Sequence, residues 1–257
     1  MRRLRRLLSK RAERWSERVC VLEGPDLVEA ALESGESFEA IYVDAELRDE
    51  PRVTALIERA QRTGVRVYAL AAGVLQKVAD VVTPQPVMAA VHFRVGILDE
   101  IEPTGLVLIL DNVRDPGNAG TIIRSADAAG ASALVLSGDC VDPFNPKTLR
   151  ASAGSVFHVP VVLAPLEETL RSLRARGVRS YATVLSGASS YVDCDLAGAC
   201  AVVIGNESSG LSASAVVLCD ASMTIPMVGR AESLNAGVAA SLIAFEALRQ
   251  RRGTTGA

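Results

Sequence analysis

From residue 106 onward the chain repeats one pattern: a short apolar run, a polar loop, then a helical stretch. The runs are LVLIL (106–110), ALVLS (133–137), VFHVPVV (156–162), SYATVL (180–185), AVVIG (201–205) and SMTIP (222–226). They are continuous rather than alternating, so each predicts a strand covered on both faces, in a parallel sheet between two layers of helices. The last and longest helical pattern runs from Leu234 to Arg252 and carries an apolar stripe of Leu234, Val238, Leu242, Phe245 and Leu248. A stripe of that width calls for a packing partner.

The first half holds a second, smaller α/β series. Its strand-like runs VCVLEG (19–24), EAIYV (39–43), VRVYAL (65–70) and VMAAVHFRV (87–95) alternate with the helical patterns PDLVEAALESG and PRVTALIERAQRTG. Such alternation predicts another parallel sheet. The segment GILDEIEPTG (96–105), acidic and punctuated by glycine and proline, reads as a linker. The expected division is a domain over 1–95, a linker over 96–105 and a domain over 106–257.

Charge is uneven along the chain. The formal net charge is −3, yet residues 1–18 carry eight basic side chains (Arg2, Arg3, Arg5, Arg6, Lys10, Arg11, Arg14, Arg18) against Glu13 and Glu17, leaving −9 for the rest. A basic arm of this kind lies well along a phosphate backbone. A solvated amphipathic helix, packed down by Leu4, Leu7 and Leu8, is the equal alternative. No apolar run is long enough to span a bilayer, since Ala236 to Leu248 is broken by Ser241 and Glu246. The N-terminus lacks the apolar stretch of a secretory signal, so a cytoplasmic protein is expected. Five scattered cysteines without a C-x-x-C, and two histidines (His92 and His158) in strand-like runs, point to structural roles and to no metal site.

Open parallel sheets bind ligands beyond the carboxyl ends of their strands, and three polar loops lie there. The first, Asp111 to Gly120, is followed by Arg124, and within it Asp115 reads as an N-cap with Pro116 at the first helical position. The second runs from Gly205 to Gly210; no Lys follows Gly210, so it is not a nucleotide phosphate loop, and no G-x-G-x-x-G follows a strand. The third, Ile225 to Asn235, leads into the final helix. Any one of them is compatible with plain turn chemistry; three on one sheet edge point to a site.

The pattern N-x-x-D-P-x-N-x-G-x-x-x-R at Asn112 to Arg124 resembles the first motif of the SpoU (TrmH-like) RNA ribose methyltransferases of the SPOUT superfamily. G-N-E-x-x-G at Gly205 to Gly210 resembles their second motif, and I-P-M-x-G-x-x-x-S-L-N at Ile225 to Asn235 their third. The first half resembles, more loosely, the L30e-like RNA-binding domain that many members carry, although Asp26 stands where a basic or neutral residue is usual. The resemblance implies a deep trefoil knot, where sequence physics alone predicts an ordinary doubly wound sheet. It implies a homodimer, S-adenosylmethionine as cofactor and an RNA substrate, ribosomal before transfer RNA, with a non-catalytic RNA-binding protein as the rival reading. Carried over by motif, Arg124, Asn118, Glu207, Ser233 and Asn235 are the expected catalytic centre. Leu185, Ser186, Gly205, Asn206, Ile225, Met227 and Leu234 are the expected cofactor contacts.

Overall fold

The computed structural model describes residues 1–79 and 85–254. The chain separates into two units: Met1–Arg94 together with Asp142–Phe157, and Val95–Val141 together with the chain from His158 on. The stretch 142–157, which the sequence reading assigned to the second domain, therefore clusters with the first.

The first unit runs α1 (Arg2–Ser9), α2 (Arg11–Glu17), β1 (Val19–Glu23), α3 (Pro25–Glu33), β2 (Ser37–Asp44), α4 (Pro51–Arg62), β3 (Val67–Leu70), α5 (Val74–Val78) and β4 (Val87–His92). Its sheet has the order β1-β4-β2-β3. Only β2 and β3 are parallel; β4 runs antiparallel to both β1 and β2. This corrects the expected parallel sheet: a strand buried on both faces looks the same in sequence whichever way its neighbours run.

The basic segment 1–18 is not a free arm. Leu4, Leu7 and Leu8 are buried in a cluster with Val19, Val21, Leu75, Val78, Met88 and Ala90, which matches the amphipathic-helix reading. Two of its cations are consumed by structure. Arg3 bonds Glu17 at 2.6 Å and Glu39 at 2.6 and 2.9 Å. Arg14, only 2% exposed, donates to Asp142 at 2.6 and 2.9 Å and to the carbonyl of Leu7 at 2.6 Å. Beside this pair, Trp15 meets Phe93 and Phe144 edge-on, and those two rings stack at 3.9 Å.

The chain enters the second unit with β5 (Leu106–Asp111), α6 (Pro116–Ala128) and β6 (Ala133–Ser137), and returns to the first for α7 (Pro146–Ser152). It then completes the second with β7 (Val161–Leu163), α8 (Leu166–Ala175), β8 (Arg179–Thr183), β9 (Ser189–Ser190), β10 (Cys200–Ile204), α9 (Ala213–Leu218), β11 (Ala221–Thr224) and α10 (Ala236–Thr254). All seven strands pair in parallel, in the order β7-β6-β5-β10-β8-β11-β9. One face, with Val107, Ile109, Ala201 and Val203, packs on Leu170 and Leu173 of α8. By strand alternation Leu106, Leu108 and Leu110 face the other way, and they are equally buried. There α6 and α10 pack together, Ser125 meeting Ser241 at 2.6 Å.

One expectation fails in this unit. VFHVPVV is a strand only over Val161–Leu163; Ser155–Phe157 forms a 3₁₀ turn, and His158 bonds Asp127 at 2.9 Å. Pro160 withholds the donor a strand would need there. On α10, Ala240, Ile243, Ala244 and Ala247 are buried, while Val238, Leu242 and Phe245 of the apolar stripe are exposed. No helix among the described residues is long and apolar enough to cross a membrane.

A buried charge that loses its partner is costly. Asp142→Ala should therefore destabilise the first unit by about 3–5 kcal/mol, read as a lower and broader thermal unfolding transition, whereas Arg6→Ala, on an exposed side chain, should leave it within about 0.5 kcal/mol.

Candidate functional site

Asp111 ends β5, and the loop beyond it turns through Asn112, which adopts a left-handed φ of 58°. Asp115 caps α6 as expected: its Oδ1 accepts from the Asn118 N–H at 2.8 Å, with Pro116 following. The capped helix start thus presents backbone donors to the sheet edge.

Those donors meet Glu207. Its Oε1 accepts from the N–H of Asp115 at 3.0 Å and from Asn118 Nδ2 at 3.0 Å, and its Oε2 from the N–H of Arg114 at 3.3 Å. Asn118 Oδ1 in turn accepts from Asn235 Nδ2 at 2.7 Å, while Asn206 Nδ2 donates to the carbonyl of Asn112 at 2.8 Å. One network ties all three loops together. Burial works to raise the Glu207 pKa, but the bonds from Asn118, Asp115 and Arg114 outweigh it and hold the carboxyl below its usual value.

The second loop is closed on itself. Asn206 and Gly210 exchange backbone bonds at 3.2 and 3.0 Å, and Asn206 Oδ1 accepts from the N–H of Ser208 and Ser209. A Cβ on Gly205 would stand 2.5 Å from the backbone of Gly210 and Leu211. No side chain fits.

Beside this network lies a cavity of about 490 Å³. All seven expected cofactor contacts line it: Leu185, Ser186, Gly205, Asn206, Ile225, Met227 and Leu234, joined by Glu207 and Ser233. Asn118 and Asn235 stand behind it in the hydrogen-bond network. Arg124 does not join them. It lies six residues past Asn118 on α6, on another face of the helix, exposed. Sequence reasoning missed Thr183 and Thr224, both on the lining; Thr224 Oγ1 donates to the carbonyl of Leu185 at 3.0 Å and so fixes that loop. Their place at the carboxyl ends of β8 and β11 was the available signal. No group of three or more His, Cys, Asp or Glu among the described residues is arranged to hold a metal ion.

Comparison with known proteins bears on this site. Residues 105–245 match the SpoU rRNA Methylase family and residues 1–89 the MRM3-like substrate binding domain. A curated relative, the 23S rRNA (guanosine(2553)-2'-O)-methyltransferase RlmP of Bacillus subtilis, is 37% identical over 238 residues, covering 93% of this chain and 92% of the relative. Among solved structures, AviRb of Streptomyces viridochromogenes, a SpoU methyltransferase in complex with the cofactor AdoMet, superposes with a TM-score of 0.88 at 32% identity, covering 98% of this chain and 97% of that one. An AdoMet-bound rRNA methyltransferase from Sinorhizobium meliloti gives 0.86 at 35%, covering 96% and 93%.

Because the Glu207 pKa is lowered on folding, its contribution is present above the ordinary carboxylate pKa of 4.5 and is lost as pH falls through the lower folded value. The side-chain amide NMR signals of Asn118 and Asn206 should therefore shift together on acidification in the parent and not in Glu207→Gln. Gly205→Ala should displace the loop at neutral pH, shifting the same signals without acid.

Proposed function

The chain belongs to the SpoU rRNA methylase family, and from that we propose that it is an S-adenosylmethionine-dependent enzyme methylating a ribose 2′-hydroxyl of 23S ribosomal RNA. The observation that carries this reading is the convergence of three loops, distant in sequence, on one cavity through the single carboxylate of Glu207. An rRNA substrate puts its work in the cytoplasm.

The cavity suits the cofactor. At about 490 Å³ it falls within the range of about 300–1,000 Å³ usual for small-molecule sites. Leu185, Ile225, Met227 and Leu234 supply apolar wall, and Ser186, Asn206 and Ser233 supply polar atoms beside it. When bound there, S-adenosylmethionine supplies an activated methyl group. The chain's own task is to place an RNA oxygen and manage one proton. Asn118, Glu207 and Asn235 hold the loops in register, and Ser233 puts a hydroxyl on the lining.

Arg124 is our candidate for gripping the RNA phosphate and orienting the 2′-oxygen. A guanidinium stays protonated, so the proton leaves to phosphate or water. In its own chain Arg124 does not line the cavity. We infer a homodimer seated on the exposed stripe of Val238, Leu242 and Phe245. Arg124 stands between Thr121 and Ser125, which meet Gly237 and Ser241 of α10, so it borders that stripe and a second copy shares it. The knot remains what the resemblance implies; Gln250 accepts from the N–H of Leu196 at 2.8 Å and donates to the carbonyl of Cys194 at 3.1 Å. The loop before β10 is thereby held to α10. We assign RNA binding to the first unit.

Two experiments test this. Arg124→Ala should lower the single-turnover rate of methyl transfer to 23S rRNA by about 100-fold, with cofactor binding unchanged by calorimetry; a parent-like rate would remove Arg124 from catalysis. Leu242→Glu with Phe245→Glu should sediment as a monomer and lose transfer, and an active monomer would overturn the shared site.

A further inference from the structure

On one face of the first unit's sheet, α1 and α5 cover β1 and β4 through Leu4, Leu7, Leu8, Leu75 and Val78. The cover touches β3, the edge strand, at its last residue, Leu70, which is only partly buried. There Tyr42 and Tyr68 sit directly opposite each other in the β2–β3 register. Their rings stack with centroids 5.8 Å apart at 22°, and Tyr68 is 45% exposed. Tyr42 packs against that cluster while partly buried, and Tyr68, stacked on it, carries the exposed ring of the pair.

The surroundings are cationic. Arg3 and Arg66 both lie close enough to act on the Tyr42 hydroxyl. Arg3 is held by Glu39, the nearest acid, which neutralises it; Arg66 is exposed and makes no ion pair among the described residues. Burial pushes the Tyr42 hydroxyl pKa up, so the phenol stays neutral beside a phosphate.

We propose that the stacked Tyr42–Tyr68 pair is a platform for an unpaired base of the substrate RNA, with Arg66 placed for the phosphate beside it. The proposal rests on the RNA methyltransferase reading above and extends it: the first unit takes hold of RNA at a loop or single strand rather than by duplex shape. An aromatic face accepts any splayed base, and a neighbouring arginine supplies backbone affinity. A base paired in a helix cannot reach it.

The full-length protein is titrated with a short single-stranded RNA carrying one 2-aminopurine, and with a duplex of equal length. Single-strand binding should quench the 2-aminopurine; Tyr68→Leu, which keeps apolar bulk without the ring, should weaken it about fivefold or more. Tyr68→Phe should restore it, and duplex affinity should stay constant across the series. Parent-like single-strand affinity in Tyr68→Leu overturns the platform, leaving the pair to a protein partner. If the parent still methylates 23S rRNA in that case, the enzyme reading stands. Absence of both transfer and RNA affinity in the parent overturns both.

Discussion

One carboxylate organises the site. Glu207 follows β10, the strand at the middle of the second sheet, and reaches back to the start of α6, where two backbone N–H groups have no partner within the helix. A side-chain anion satisfies both and interacts favourably with the helix dipole. The same oxygen that accepts from Asp115 also accepts from Asn118, and Asn118 accepts from Asn235. The third loop is thus linked to Glu207 through Asn118. The loop geometry around the cavity follows from satisfying a helix N-terminus.

Much of this was legible in sequence, for physical reasons. Strands buried on both faces leave continuous apolar runs, and five of the six in the second unit are strands close to where they were read. Polar loops beyond strand carboxyl ends are conspicuous against such runs and marked where the site lies, whereas the individual cavity-lining residues from Leu185 to Leu234 could be named only through the family resemblance. What stayed hidden is what periodicity does not encode. Strand direction in the first sheet and the course of VFHV past Pro160 both depend on neighbours distant in sequence. On α10 small alanines fill the inner face, while the larger Val238, Leu242 and Phe245 stay outside.

Net charge misled in a different way. Eight basic side chains in residues 1–18 read as one electrostatic feature, yet they divide by environment. Arg14 is buried against Asp142 and Arg3 is locked by two glutamates, so both are structural cations. A formal +6 overstates what this segment offers to a polyanion.

The place of Asp142 also sets an order of events during translation. Arg14 is made early, but its counter-ion, and Phe144 that stacks on Phe93, lie beyond β5, α6 and β6 of the other unit. At roughly 5–20 residues per second on the ribosome, the first unit waits seconds with an uncompensated cation and an open aromatic cluster. It is complete only after the second has begun to emerge. A stall between the two units would leave the N-terminal part without Asp142 and Phe144.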